Sequence, residues 1–161
     1  MRDSRALERV ARGTIGLLLP GPVDEAAAPH PFEVRNIHPD LPPKVRHLFD
    51  DGYQAEATFE AFKFIEEEVK RLSGVRLKTG FGLMMELFDE NKPILAINNH
   101  ASDSEVDEQK GFRHMFAGAQ SAIRNPRGHD TNMNDDPDTC LDHLALASLF
   151  IRRLDTAGLR S

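Results

Sequence analysis

An arginine and a histidine lie five residues apart in the stretch RNPRGH, residues 124–129. Arginine stays charged and offers a planar fork of N–H donors to phosphate oxygens. Histidine titrates near neutral pH and can move the proton of a ribose 2′-hydroxyl. Arg124 and His129 would together support RNA cleavage by internal attack, with His129 as general acid or base and Arg124 stabilising the added charge on the phosphate. That chemistry needs no metal, because the nucleophile belongs to the substrate.

Residues 110–130 form a cationic segment in an acidic chain. The segment has a formal charge of +3, which leaves −9 for the rest of a chain whose total is −6. Its charged side chains are Lys110, Arg113, Arg124, Arg127 and Asp130. A local positive site favours a specific phosphate pocket over general coating of a nucleic-acid backbone. We therefore interpret Arg127, Arg113 and Lys110 as candidate RNA-binding residues; a solvated helix face is the alternative.

The composition excludes several other kinds of protein. One cysteine, Cys140, allows neither an intrachain disulfide nor a zinc site built from cysteines. No apolar run approaches the roughly 20 residues of a membrane-spanning helix. The basic start of the chain is followed by a short apolar run that ends at Pro20, which argues against a signal peptide. We therefore expect a cytoplasmic protein with no membrane partner.

The apolar residues repeat at helical spacing through most of the chain. Residues 20–43 hold seven of the ten prolines and are expected to be an extended linker. We divide the chain into an N-terminal arm and linker, residues 1–36, and a helical domain, residues 37–161. The periodicity and the helix-end signals predict helices that begin at Pro42-Pro43 and that span 53–72, 82–89, 109–124 and 136–158.

The intervening segments are expected to be irregular. The acidic residues 98–108 are predicted to form a solvated loop, and 94–97 a short strand or a packed loop. Pro126 is expected to end the fourth helix after Asn125. The fold class is therefore all-α, a bundle of four or five helices with a proline-rich N-terminal arm.

Longer stretches carry a resemblance to a known family. Arg-x-x-x-x-His with a polar residue after the arginine, late in a helical bundle, resembles the HEPN superfamily. The stretches GYQAEATFEAFKFIEEEVKRLSG, MFAGAQSAIRNPRGHD and LALASLFIRRLD are similar, more narrowly, to its Ymh-like bacterial and phage branch. The resemblance covers about residues 37–157 and assigns Arg124, Asn125 and His129 to the catalytic motif.

The resemblance has further implications for function. Many HEPN proteins are metal-independent ribonucleases in defence, toxin–antitoxin or RNA-processing systems, and their sites usually form where two subunits meet. It therefore implies a homodimer, no cofactor, an RNA substrate, and an antitoxin or other defence-system protein as a partner. Gly118, Ala119 and Ala122 are small enough to let two copies of the fourth helix approach. One toxin class has a modified tyrosine two residues after the histidine; Thr131 stands there, so that control is not implied.

Other chemistry and another function class remain open. His100 near Asp103, or His114 near His129, could suggest a metal, but the spacing of the common metal motifs does not occur. Glu60 and Lys63 could approach the site or form a surface pair. Cys140 is interpreted as a buried, inert thiol, and His143 as a packed or surface residue. The alternative function is a non-catalytic dimerisation or nucleotide- or RNA-binding module.

Overall fold

Helices make up the regular structure of the protein in a computed structural model that describes residues 28–130 and 132–160. No strand occurs in these two ranges, which confirms the all-α prediction. In chain order the elements are α1 (Pro31–Val34), α2 (Pro43–Asp50), α3 (Gln54–Ser73), α4 (Gly80–Leu87), α5 (Asp103–Ala119), a π-helical segment (Gln120–Arg124), α6 (Asn125–His129) and α7 (Pro137–Thr156).

The core lies between α3, α7 and α5, and aromatic rings link the three helices. The rings of Phe62 on α3 and Phe150 on α7 meet edge to face, with centroids 6.4 Å apart. Phe116 of α5 stacks on Phe150 at 4.1 Å and on Phe88, just after α4, at 4.3 Å. All four rings are completely buried. The helical periodicity of the sequence therefore marks the faces that form this core.

Helix ends follow local signals where the sequence supplies them. Asp136 caps α7 by accepting from the amide of Thr139 at 2.9 Å, and Pro137 occupies the first helical position. Gly74 ends α3 with φ of +75°, a backbone conformation that favours glycine. Both ends are where the sequence predicts them.

The stretch 94–97 is a packed loop and not a strand. The side chain of Gln109, which is completely buried, accepts a hydrogen bond from the amide of Ile97 at 2.8 Å. Its Nε2 donates to the carbonyls of Phe88 and Leu95 at 3.0 and 3.1 Å. One glutamine side chain on α5 thus satisfies the backbone groups that a neighbouring strand would otherwise bind.

Three features differ from the predictions by more than two residues. α5 begins at Asp103, where a solvated loop is expected, because Ser102 accepts from the amide of Glu105 and acidic side chains stabilise the first turn. α1 lies in the stretch expected to be extended, capped through the His30 ring and the Glu33 carboxylate. The third difference, at Pro126, concerns the candidate site. Residues 1–27, most of the predicted arm, and Thr131 lie outside the described residues, and the division at residue 37 stays a prediction.

Candidate active site

The predicted motif lies on a helical path that continues past Pro126. The π-helical segment joins α5 to α6, and the amide of Asn125 donates to the carbonyl of Gln120, five residues earlier. Pro126 then falls in the first turn of α6, directly after the π-helical segment. The prediction that Pro126 ends the helix is therefore wrong. Single π turns inside helices occur frequently at functional sites.

Gln120, at the start of the π-helical segment, is almost fully buried. Its Nε2 donates to the carbonyl of Phe62 at 3.3 Å, which attaches the segment to α3. Its Oε1 is buried without a hydrogen-bond partner in the described residues. The segment is therefore fixed to the core on one side, immediately before Arg124.

Arg124 lies against an aromatic ring and not against a carboxylate. Its guanidinium carbon is 5.1 Å from the centroid of the Phe59 ring on α3. Nη1 donates to Oδ1 of Asn125 at 3.2 Å, while Nε is buried without a hydrogen-bond partner among the described residues. No ion pair neutralises this guanidinium within residues 28–130 and 132–160. The ring orients the cation and leaves its charge available to an anion.

Gly128 allows α6 to approach α3 at the same ring. A Cβ on Gly128 would lie 2.7 Å from Cε2 of Phe59, closer than side-chain atoms pack. Arg124 and Gly128 are four residues apart and share one face of the helix. A larger residue at 128 would therefore displace the ring on which Arg124 rests.

His129 is the last residue of α6 and is exposed to solvent. It follows Arg124 by five residues, which places it about 7.5 Å farther along the helix axis and about 140° around it. Arg124, the last residue of the π-helical segment, thus faces α3, whereas His129 lies on another side of the helical path, at the exposed end of α6. The three predicted catalytic residues, Arg124, Asn125 and His129, lie on one continuous helical path, and their catalytic role stays a prediction.

Arg127 lies between them in sequence but has different partners. Its Nε and Nη2 donate to Oδ2 and Oδ1 of Asp135, both at 2.6 Å, and Nη1 donates to the carbonyl of Ile123 at 2.7 Å. The two side chains are only 8% and 7% exposed. This bidentate pair ties α6 to the segment before α7. A phosphate would have to replace a buried carboxylate to bind Arg127.

The other two candidate RNA-binding residues lie away from the motif. Arg113 donates to the carbonyl of Met85 at 2.8 Å and pairs with Asp89 and Glu90. Lys110 is exposed on α5, about 20 Å from Arg124 along the helix. The structure therefore does not bring Arg113 and Lys110 together with Arg124, and their contact with RNA stays a prediction.

Sequence reasoning missed three residues of the site: Phe59, Asp135 and His143. Nδ1 of His143 is buried without a hydrogen-bond partner in the described residues and lies 3.9 Å from Oδ2 of Asp135. Burial and the nearby Arg127 guanidinium lower the pKa of His143 below its usual value. The sequence offered one signal for this group, a further histidine after the motif. No local pattern connects Phe59, Asp135 and His143 in the sequence.

Two of the other candidates, Glu60 and Cys140, have structural partners. Glu60 pairs with Lys44 at 3.0 Å. Burial raises the pKa of the Cys140 thiol to about 11, and the hydroxyl of Thr58 donates to its Sγ at 3.5 Å. The described residues contain no group of three His, Cys, Asp or Glu side chains arranged to bind a metal. Nor do they contain a helix both long enough and apolar enough to cross a membrane.

A protein-family model described as "Protein of unknown function (Hypoth_ymh)" matches residues 35–154, which include α2 to α6 and most of α7. The chain belongs to this family. Comparisons with curated proteins and with solved structures gave no match. The matched range includes every residue of the candidate site. The wider resemblance to the HEPN superfamily stays a prediction.

Proposed function

We propose that this Ymh-family protein is a HEPN-like, metal-independent endoribonuclease. The observation that carries the proposal is the Arg124 guanidinium, held on the Phe59 ring without a carboxylate partner in the described residues. An arginine in this state keeps its charge and its donors for an incoming anion. The helical path that carries Arg124 ends at an exposed histidine, His129, which would supply the proton-transfer group.

The reaction follows from these two groups. The 2′-hydroxyl of the RNA loses its proton to a base and attacks the adjacent phosphorus. Arg124 stabilises the charge that accumulates on the non-bridging oxygens, and His129 transfers a proton during the reaction. The bond to the 5′-oxygen breaks, leaving a 2′,3′-cyclic phosphate on one product and a 5′-hydroxyl on the other. Asn125, which accepts from Arg124, holds the guanidinium in position.

The test is cleavage of single-stranded RNA by the purified full chain in the presence of EDTA. Arg124→Ala and His129→Ala should each lower the rate by about 10²-fold or more, with no loss of thermal stability. Arg46→Ala and His47→Ala are matched controls, because these residues are an exposed arginine and histidine on α2. The controls should retain full activity, and an all-2′-deoxy oligonucleotide should not be cleaved.

Failure of the wild-type chain to cleave any RNA, or cleavage unaffected by both substitutions, would contradict the proposal. RNA binding without cleavage would instead favour the non-catalytic module.

We also propose that two copies associate beside the motif, in keeping with the predicted homodimer. Met115 is 40% exposed on α5, Ala122 is exposed, and Gly118 is half-buried with open space around its α-carbon. Ala119 is 4% exposed and packs in the core, so it does not contribute to such a contact. The mass in solution should be that of a dimer, and Met115→Glu should shift it toward the monomer. The defence role, the antitoxin and the cytoplasmic location stay predictions.

A further inference from the structure

Five buried side-chain atoms in the described residues lack a hydrogen-bond partner, and two of them belong to the π-helical segment. These two atoms are Oε1 of Gln120, which is an acceptor, and Nε of Arg124, which carries a donor N–H. Buried polar groups in folded proteins are nearly always paired, and an unpaired one points to a strained or functional role. A donor and an acceptor left unpaired in one short segment can satisfy each other.

Contacts with α3 place these two side chains side by side. Gln120 and Arg124 are the first and last residues of the segment, four residues apart, and so lie on the same side of the helical path. Nε2 of Gln120 donates to the carbonyl of Phe62 at 3.3 Å. The guanidinium carbon of Arg124 is 5.1 Å from the centroid of the Phe59 ring. Since Phe59 precedes Phe62 by about 4.5 Å along the axis of α3, the two side chains contact neighbouring turns of one helix.

The observed contacts of Arg124 leave the rotation of its guanidinium incompletely fixed. An aromatic ring attracts a cation without requiring one direction for its N–H groups. The hydrogen bond from Nη1 to Oδ1 of Asn125, at 3.2 Å, is the only one that the guanidinium makes in the described residues. A second hydrogen bond, from Nε to Oε1 of Gln120, would fix the rotation. The other Nη1 donor and both Nη2 donors would remain for phosphate oxygens.

Gln120 supplies an acceptor that carries no negative charge. A carboxylate in its place would form an ion pair with Arg124, as the carboxylate of Asp135 does with Arg127. Such a pair would weaken the attraction of Arg124 for an anion. The amide can orient the guanidinium and still leave its charge for a phosphate.

We propose that Gln120 is a positioning residue for Arg124. Oε1 of Gln120 accepts the hydrogen bond from Nε of Arg124 when the guanidinium binds a phosphate of the RNA, so both buried atoms become paired as the complex forms. Gln120 does not touch the RNA and acts only through the orientation of Arg124. The assignment rests on the proposed ribonuclease function.

A double-mutant cycle separates positioning from a structural role. Gln120→Met removes the amide and keeps a side chain of similar size, whereas Arg124→Lys keeps the charge and has no N–H at the position of Nε. In single-turnover assays at saturating RNA, Gln120→Met should slow cleavage by about 10-fold in the wild-type chain. In the Arg124→Lys chain the same change should slow cleavage by less than about 2-fold, because no Nε–H remains to be oriented.

Thermal denaturation measures the structural role of Gln120 separately. Gln120→Met should lower the melting temperature equally in both chains, since loss of the hydrogen bond to Phe62 does not depend on residue 124. Ser121→Ala is the matched control, because Ser121 is exposed on the same segment, and it should cleave normally. Gln120→Glu is the second variant if Gln120→Met unfolds. Its carboxylate would pair with Arg124, so RNA should bind about 10-fold more weakly, and unchanged binding would contradict the assignment.

The Nε–H resonance of Arg124 gives a measurement that does not depend on cleavage. It is assigned by its absence from Arg124→Lys. With 2′-O-methyl RNA bound, which has no attacking hydroxyl, this proton should exchange with solvent about 10-fold more slowly in the wild type than in Gln120→Met.

The same fold-change in rate for Gln120→Met in both chains, or equal exchange of the Nε proton, would overturn the assignment and leave the ribonuclease proposal intact. Absence of RNA cleavage by the wild-type chain would overturn the ribonuclease proposal. The exchange measurement would then decide whether Gln120 still positions Arg124 for binding RNA.

Discussion

Near one end of α3 the charged side chains are paired with one another, whereas near the other end Arg124 has no carboxylate partner in the described residues. Near its C-terminal end, Glu68 is 8% exposed and accepts two hydrogen bonds from Arg71 and one from Arg160. Arg160 also donates to Asp155 and Asp40, at 2.8 and 3.1 Å. We call these five residues the Glu68 network. In this network, Arg160 lies after α7, Asp155 lies on α7 and Asp40 lies in the segment before α2. The network therefore joins these three segments to α3.

Near the other end of α3, Phe59 holds Arg124, which has no carboxylate partner in the described part of the chain. A closed network satisfies its buried groups and stabilises the fold. An arginine without a carboxylate partner can still form an ion pair with a bound anion. The Arg127–Asp135 pair belongs to the first kind although it lies inside the candidate site. The fold therefore uses one arginine of the motif to position the segment that presents the other.

The largest expected effect on stability is from breaking the Arg127–Asp135 pair. Asp135→Ala should lower the free energy of unfolding by about 3–5 kcal/mol, because it leaves the buried guanidinium of Arg127 without a partner. Urea denaturation followed by circular dichroism measures the change. Asp138→Ala is the control: its carboxylate is 87% exposed and lies 3.8 Å from Arg35, so we expect a change within about 0.5 kcal/mol. Equal effects of the two substitutions would show that Arg127 does not depend on its pair.

Glu68→Gln should have a smaller effect, about 1–3 kcal/mol at pH 7, through loss of charge-assisted hydrogen bonds. The arginines lower the pKa of Glu68 from 4.5 to about 2. Because the folded state favours the carboxylate, this stabilisation is complete above pH 4.5 and is lost as the pH falls toward 2. Urea denaturation at several pH values should show the wild type and the variant converging at the acid end. A difference that stays constant from pH 7 to pH 2 would contradict the assignment.

The smallest effect is expected from a single methyl group placed at two glycines. Gly128→Ala should cost about 1 kcal/mol, because the new Cβ collides with Phe59. Gly111→Ala should be neutral or stabilise by up to about 1 kcal/mol, because α5 gains a better helix former and no atom of the described residues lies within 4 Å of the new Cβ. Thermal denaturation of the two variants measures the contrast. RNA cleavage should fall only in Gly128→Ala, and the opposite order would disprove the close contact between α6 and α3.

Helix positions could be predicted because their signals are local. The spacing of apolar residues and the stop at Gly74 place α3, and the Asp136-Pro137 pair places the start of α7. The start of α5 was missed because acidic residues suit both a solvated loop and the first turn of a helix. The path through Pro126 was missed because it depends on Gln120 attaching the preceding turn to Phe62, a contact between distant parts of the chain.

The sequence alone was sufficient to nominate Arg124 and His129, because they occur together in six residues of a cationic segment, and the resemblance to the HEPN superfamily added Asn125. It could not show that Arg127 is paired with a carboxylate and Arg124 is not, because the two arginines have the same chemistry and nearly the same surroundings in the sequence. The two arginines differ because Arg124 packs on Phe59, which precedes it in the sequence, whereas Arg127 pairs with Asp135, which follows it. Both contacts form only when the bundle folds. Helical propensity acts over a few residues, whereas the pairing of a charge depends on which helices pack together. Which arginine is left for a ligand is therefore a property of the tertiary structure.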